Sequence, residues 1–374
     1  MKDRPMKILP ESLYLPQQTV SKAGAVLSLP VMASVFGSRG MLVHGKSLQA
    51  SGKLANIMSA APSETHILTW LHNGGEPSVH DVDALRAELL DKRPDWVAAV
   101  GGGSVIDLSK AAVGLADAPE KTAYYQRNPK AVTTAKIPLI AAPSTAGTGS
   151  EATPVSVLTD PERTLKQSIR HNSHIPQLVL LDPDLLVGCP PATVAAAGLD
   201  AFIQAFESYT SRHATPFTRS LSELALQGIA RSLLPLYRQE QDAAAEMLEA
   251  SYLAGIALTH ARLGVIHGLA HPLGSRFNVA HGLACACCLP AALAFNRQTI
   301  QPDLQDLKNR LGIDVEALVA QWFDTMQLDN PFKGRHIADP AEVIRETLAS
   351  GSTSANPRPV SAADVETLLS AIFQ

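Results

Sequence analysis

Along the first half of the chain, short apolar blocks of strand length alternate with stretches whose apolar residues recur at helical spacing. The strand-like blocks are residues 40–44 (GMLVH), 65–70, 96–100 (WVAAV), 137–142 and 178–181. Helical spacing marks residues 48–60, 79–92 and 105–115, and a polar, hairpin-like segment spans 155–169. Strand–helix alternation predicts a parallel sheet covered on both faces. After Pro190-Pro191 the texture changes: residues 193–210, 217–236, 243–263 and the run 264–289 all read as helices, and no strand pattern returns. A polar loop, GSTSANPRP at 351–359, precedes a last short helix. The predicted organisation is an α/β domain over residues 1–188 and an all-α domain over 189–374.

The chain has 374 residues, 46% of them hydrophobic, more than one core of roughly 250–300 residues accommodates. A net charge of −4 without any basic or acidic run argues against nucleic acid or anionic membrane as partners and points to small-molecule chemistry. The longest apolar run, 283–295, is too short to span a bilayer and contains Pro290. The opening residues, MKDRPMKILPESLYLP, have no apolar signal core, so a cytoplasmic protein is expected. Of the four cysteines, Cys285, Cys287 and Cys288 crowd one short segment in no common zinc pattern, and with Cys189 they read as small, reduced thiols.

Four stretches carry candidate chemistry. In GVIHGLAHPLGSRFNVAHGLACACCL (264–289), His267 and His271 are one helical turn apart and His281 follows beyond Pro272. Three histidines among small residues point to a metal or proton-transfer site. The strand at 96–100 runs into Gly101-Gly102-Gly103-Ser104 and then a helix, which leaves bare backbone N–H groups suited to a diphosphate, although a plain tight turn has the same sequence. Asp107, one turn on, either braces that loop or is a first-turn acid. PSTAGTGSEAT (143–153) offers hydroxyls without bulk, suited to a ribose or nicotinamide ring, and Lys166 beyond it is either solvated or a cofactor contact. In GLDAFIQAFES (198–208), Asp200 and Gln204 share a helical face; a buried aspartate there needs a partner, whether a cation, a cap or an ion pair.

Together GGGSVIDLSKA, PSTAGTGSEATPVSVLTD, GLDAFIQAFESYTS, HGLAHPLG…VAHG and the terminal NPRPVSAADVETL resemble the iron-containing alcohol dehydrogenase family, in the family's order from about residue 10 to the end. The resemblance implies a dehydroquinate synthase-like architecture, with an α/β nucleotide-binding domain followed by an all-helical metal domain. It implies NAD(P) and a divalent metal, Fe²⁺ or Zn²⁺, a small alcohol or aldehyde substrate, and a homodimer, with residues 10–20 as a contact. By similarity, Gly102, Gly103 and Ser104 contact the diphosphate, Thr145 and Thr148 lie along the cofactor, and Lys166 reaches it. Asp200, His267 and His281 fall on metal-ligand positions, and His271 on the histidine lining the nicotinamide and substrate pocket, the candidate proton relay.

One departure matters: Gln204 stands where the iron-binding members carry a histidine. An amide is a weaker, neutral ligand than imidazole for a transition metal, so the expected site is Asp200, His267 and His281 with an open position, or those three with Gln204 as a poor fourth. A three-ligand site resembles the glycerol dehydrogenases, which makes polyol oxidation an alternative. After the first strand the chain has Gly45-Lys46-Ser47 and no carboxylate to repel a 2′-phosphate, so NADP(H) is favoured over NAD(H). Two further alternatives are a dehydroquinate synthase-like lyase, disfavoured because the metal segment offers chiefly Arg262 and Arg276 to hold a phosphorylated substrate, and a non-catalytic nucleotide-binding relative.

Overall fold

Strands buried on both faces organise the first unit. The computed structural model describes residues 7–132, 134–163 and 165–374. Its main sheet comprises β1 (Gln18–Ser21), β2 (Arg39–Gly45), β3 (His66–His72), β4 (Trp96–Gly101), β5 (Leu139–Pro143) and β8 (Leu178–Leu181). They lie in the order β1-β8-β5-β4-β2-β3, and all neighbours pair in parallel. Every residue of β4, β5 and β8 is buried, which is why these strands read as continuous apolar runs instead of alternating ones. β6 (Val155–Asp160) and β7 (Leu165–Arg170) form the expected antiparallel hairpin.

Helix α1 (Val79–Lys92) starts where Ser78 caps it. The Ser78 Oγ accepts the Asp81 N–H at 3.1 Å and the Asp81 carboxylate accepts the Ser78 N–H at 2.9 Å. Helix α2 (Gly103–Gly114) starts directly after β4. Two features depart from the sequence pattern. Helix 48–60 is in fact two pieces, Lys46–Ala50 and Lys53–Ser59, because Gly52 adopts φ 75°, a left-handed conformation that no helix continues through. The edge strand β1 has the sequence QTVS, too short and polar to be read as a strand; its register against β8, Gln18 opposite Leu178, makes it one. Just past β8, the Asp182 carboxylate accepts the N–H groups of Gly24 and Val26 at 3.0 and 2.9 Å.

Tyr14–Cys189 form this α/β unit. The second unit is Pro190–Gln374 joined by residues 7–13, where the Phe217 N–H donates to the Ile8 carbonyl at 3.2 Å. It consists of α3 (Pro191–Thr210), α4 (Pro216–Tyr237), α5 (Ala244–Ala261), α6 (Val265–Phe277), α7 (His281–Leu311), α8 (Val315–Thr325), α9 (Pro340–Ala349) and α10 (Ala362–Phe373). Helix α3 packs against α4, α5 and α7 and is buried at every residue from Gly198 to Thr210, the mark of a central helix. The histidine stretch divides between α6 and α7 because Asn278 closes α6 at φ 51°. No single helix among the described residues is long and apolar enough to cross a membrane.

Candidate active site

The helical unit gathers its polar chemistry on one face of α3. Asp200, Gln204 and Glu207 follow the i, i+4, i+7 spacing of a helical stripe, and all three are buried. Opposite them, α6 presents His267, and the first turn of α7 presents His281 and, four residues on, Cys285. One donor atom from each of Asp200, His267, His281 and Cys285 lies within 4.8 Å of the other three. His267 Nε2 is 3.4 Å and His281 Nε2 3.6 Å from Asp200 Oδ1. The His267 contact is too poorly aligned for a hydrogen bond, and Asp200 Oδ1 and His267 Nε2 remain buried without a partner.

Two glycines allow this approach. A Cβ on Gly264 would stand 2.6 Å from Glu207 Oε1, and one on Gly282 would stand 1.8 Å from the Ala196 carbonyl oxygen. At Gly282 the obstacle is backbone, so α7 can enter only as glycine there, whereas a side chain at Gly264 would have to displace the Glu207 carboxylate. Glu207, absent from the sequence reading, is the support beneath the cluster. Its Oε2 accepts the His267 Nδ1–H at 2.6 Å and its Oε1 the Ile266 N–H at 2.8 Å, at the N-terminus of α6. With Nδ1–H held by Glu207, Nε2 is the nitrogen turned toward Asp200 and the one available to a ligand that displaces its proton. The available signal was its spacing, a third polar residue seven after Asp200 in an apolar helix.

Burial works against charge on His267, yet Cys285, Asp200 and Glu207 around it raise its proton affinity well above the ordinary imidazole value. Burial likewise pushes the Cys285 thiol up to about 11. Asp200 Oδ1 and His267 Nε2, buried without a hydrogen bond and facing His281 and Cys285, are a poor arrangement for a protein alone and a good one for a dication. The donor set fits a divalent metal. Gln204 turns its amide nitrogen to Asp200 Oδ2 at 2.9 Å, and its Oε1 is buried without a partner. His271 is half-buried and stacks on His281, ring centroids 4.9 Å apart and planes 20° apart.

In the α/β unit the expected nucleotide segments meet at the carboxyl ends of adjacent strands. Chain order reverses between β2 and β4, and the C-terminal ends of these two strands carry Gly45-Lys46-Ser47 and Gly101–Ser104; this is where open α/β sheets bind ligands. Lys46 and Ser47 are exposed in the first turn of Lys46–Ala50. The loop after β5 faces the glycines. A Cβ on Gly102 would be 3.3 Å from Thr145 Oγ1, and one on Gly103 would be 2.8 Å from Thr148 Oγ1. Gly102, Gly103, Ser104, Thr145 and Thr148 thus belong to one patch.

Asp107 is engaged from below. It accepts the Ser150 hydroxyl and the Val157 N–H (2.9 Å) and lies 3.2 Å from the Lys110 ammonium. Lys110 is fully buried and donates to the Ser150 carbonyl at 2.8 Å and to the Val155 carbonyl, so the two residues clamp the second loop onto α2. Burial lowers the Lys110 proton affinity and pushes neighbouring Glu151 up to about 7. Lys166 is paired with Glu76 at 2.9 Å. Cys285, Cys287 and Cys288 are buried and reduced, and Cys189 is half-buried.

The family model for iron-containing alcohol dehydrogenase matches residues 16–183, and that for the Fe-containing alcohol dehydrogenase family, C-terminal, matches 194–373. The chain is 38% identical over 291 residues to the probable alcohol dehydrogenase EutG of Escherichia coli (strain K12), covering 77% of this chain and 73% of that protein. It is 34% identical over 277 residues to the NADPH-dependent butanol dehydrogenase of Clostridium saccharobutylicum, covering 73% and 71%. Among solved structures, the sulfoacetaldehyde reductase of Bifidobacterium kashiwanohense in complex with NAD⁺ superimposes with a TM-score of 0.90 at 25% identity, over 98% of this chain and 99% of that one.

Proposed function

The chain belongs to the iron-containing alcohol dehydrogenase family and is thereby a nicotinamide-linked alcohol or aldehyde oxidoreductase; from that premise we propose a metal-dependent, NADP(H)-linked reductase of small aldehydes that also oxidises small primary alcohols. The observation that carries this reading is the convergence of Asp200, His267 and His281 donor atoms, with Asp200 Oδ1 and His267 Nε2 buried and left without a hydrogen bond. These three residues hold the ion, Fe²⁺ or Zn²⁺, and Gln204 adjoins them through Asp200. Once bound, the metal supplies Lewis acidity at the substrate oxygen and the nicotinamide the hydride. Glu207 keeps the His267 proton on Nδ1. His271 exchanges the proton between the substrate oxygen and solvent, a role suited to imidazole, whose ordinary titration lies near neutrality.

In this reading the α/β domain, expected over 1–188 and formed by Tyr14–Cys189, binds the cofactor, and the helical domain, expected over 189–374 and formed by Pro190–Gln374 with residues 7–13, binds the metal. The bare N–H groups of Gly102, Gly103 and Ser104 bind the diphosphate, Thr145 and Thr148 line it, and Asp107 with Lys110 acts as a brace. Lys166 reaches the cofactor only by exchanging its Glu76 partner. Gly45, Lys46 and Ser47 admit a 2′-phosphate, and the NADPH dependence of the similar butanol dehydrogenase supports that preference. Lys46→Asp should therefore shift the preference from NADPH toward NADH. A cytoplasmic homodimer, with residues 10–20 at the contact, completes the proposal.

The test is metal content by mass spectrometry on protein purified without chelator, paired with NADPH-dependent reduction of small aldehydes before and after stripping. Near one ion per chain, with activity lost on stripping and restored by Fe²⁺ or Zn²⁺, is the expected result. Unaltered activity in metal-free protein would refute it.

A further inference from the structure

We infer that Cys285 is the fourth ligand of the metal, so that the ion is held by an Asp-His-His-Cys set and not by one that Gln204 completes. This inference rests on the metal-binding reading above and adds a ligand to it. Cys285 lies four residues beyond His281 on α7, one turn along the same helical face. Its Sγ is 3.7 Å from His281 Nε2 and within 4.8 Å of the donor atoms of Asp200 and His267. Neither Cys287 nor Cys288, two and three residues further along α7, joins the group.

Three of the six donor spacings have the lengths a tetrahedron around one ion requires, and the other three lie within 4.8 Å. Metal–nitrogen or –oxygen bonds of about 2.05 Å and a metal–sulfur bond of about 2.3 Å put tetrahedral donors about 3.3 Å apart for two first-row atoms and about 3.6 Å for nitrogen and sulfur. The observed separations are 3.4 Å and 3.6 Å from Asp200 Oδ1 to the two imidazole nitrogens and 3.7 Å from His281 Nε2 to sulfur. Gln204 is occupied differently. Its amide nitrogen donates to Asp200 Oδ2 at 2.9 Å, and turning the amide over would set its oxygen against that carboxylate oxygen. Gln204 therefore orients Asp200, whose Oδ1 is left to the cluster.

As the sulfur–metal bond forms, the thiol proton leaves to solvent, and the donor set then carries two negative charges, one from Asp200 and one from the thiolate, against the dication. A thiolate in place of a nitrogen or oxygen donor favours zinc over ions that prefer harder ligands.

The experiment replaces the native ion with Co²⁺ in the full-length protein and records metal stoichiometry and the near-ultraviolet absorption together. Sulfur coordination produces an intense thiolate-to-cobalt charge-transfer band that nitrogen and oxygen donors do not. The expected result is about one Co²⁺ per chain with that band, lost in Cys285→Ser and kept in Cys287→Ser and Gln204→Ala. Zinc-edge X-ray absorption of the unmutated protein, expected to show one sulfur scatterer, gives the same answer should Cys285→Ser fail to fold. Stoichiometric cobalt without the band, or a band that survives Cys285→Ser, would overturn the cysteine ligand and leave the metal reading standing. A protein that retains no divalent ion would overturn both.

Discussion

Replacing Glu207 by glutamine tests the site without touching any proposed ligand. The carboxylate is about 5% exposed and accepts on both oxygens, His267 Nδ1–H at 2.6 Å on Oε2 and Ile266 N–H at 2.8 Å on Oε1. An amide has one acceptor and one donor end, so either orientation sets its NH₂ against an N–H. With NH₂ toward His267, Nδ1 must give up its proton, and the remaining proton sits on Nε2, the nitrogen turned toward Asp200. With NH₂ toward Ile266, a buried backbone donor at the start of α6 goes unpaired, at a cost of about 1–3 kcal/mol. Loss of a carboxylate behind a metal-ligating histidine typically lowers metal affinity by about 10–100-fold, or about 1.4–2.7 kcal/mol. The two routes are similar in magnitude, so Glu207→Gln should lose one or the other. Metal affinity is read by competition against a chromophoric chelator, and stability by thermal unfolding of the metal-free protein. A variant matching the parent in both would refute the assignment of Glu207 as the residue that fixes the His267 tautomer.

Other perturbations follow from the same geometry. Gly282→Ala places a methyl 1.8 Å from the Ala196 carbonyl oxygen; the start of α7 must retreat from α3, so a loss of about 1–3 kcal/mol is expected in denaturant unfolding, together with weaker metal retention from displaced His281. Gly103→Ala brings a methyl to 2.8 Å from Thr148 Oγ1 and should weaken cofactor binding in a fluorescence titration while the protein remains folded; unchanged affinity would place the diphosphate elsewhere. Burial pushes the His174 imidazole down to about 3. Between pH 6.5 and that value the unfolded chain takes up a proton that the folded one refuses, so stability falls as pH falls, by about 1.4 kcal/mol per pH unit from this residue. His174→Leu should remove that slope relative to the parent in pH-dependent urea unfolding, and parallel slopes would show that His174 is accessible to protons in the native state.

Much of this was legible in the chain, for identifiable reasons. β4 and β5 were visible because both faces are covered and because glycine and serine follow them directly; α1 was visible because its apolar residues Val79, Val82, Leu85 and Leu89 recur at helical spacing. Asp200, His267 and His281 stood out as polar residues in apolar surroundings, and the structure brings all three together. What local pattern missed depends on tertiary partners. β1 is a strand only because β8 lies beside it; α8 and α9, by contrast, carry local start signals, Asp314 and the pair Asp339-Pro340, that the apolar spacing alone did not bring out. Cys285 read as an inert thiol, since its nearness to Asp200 arises from how α3 and α7 pack. Asp107 carried two readings in the sequence, and its bonds to Ser150 and Val157 support the brace.

The pairing of β1 with β8 has a consequence for synthesis. The strand made first in the α/β unit waits for the one made last, and Asp182 then ties Gly24 and Val26 across 156 residues or more of intervening chain. A ribosome releasing this polypeptide can dock β2 to β5 progressively, but β1 has no neighbour until residue 178 emerges, so closure of the sheet is a late event with high contact order. Because β1 and β8 run parallel, a circular permutant of Tyr14–Cys189 needs a crossover linker of about a dozen residues or more to carry the chain from the end of β8 back to the start of β1; with that linker and a new break in an exposed loop it should retain the sheet, make β8 and β1 neighbours in sequence and fold faster than the natural order.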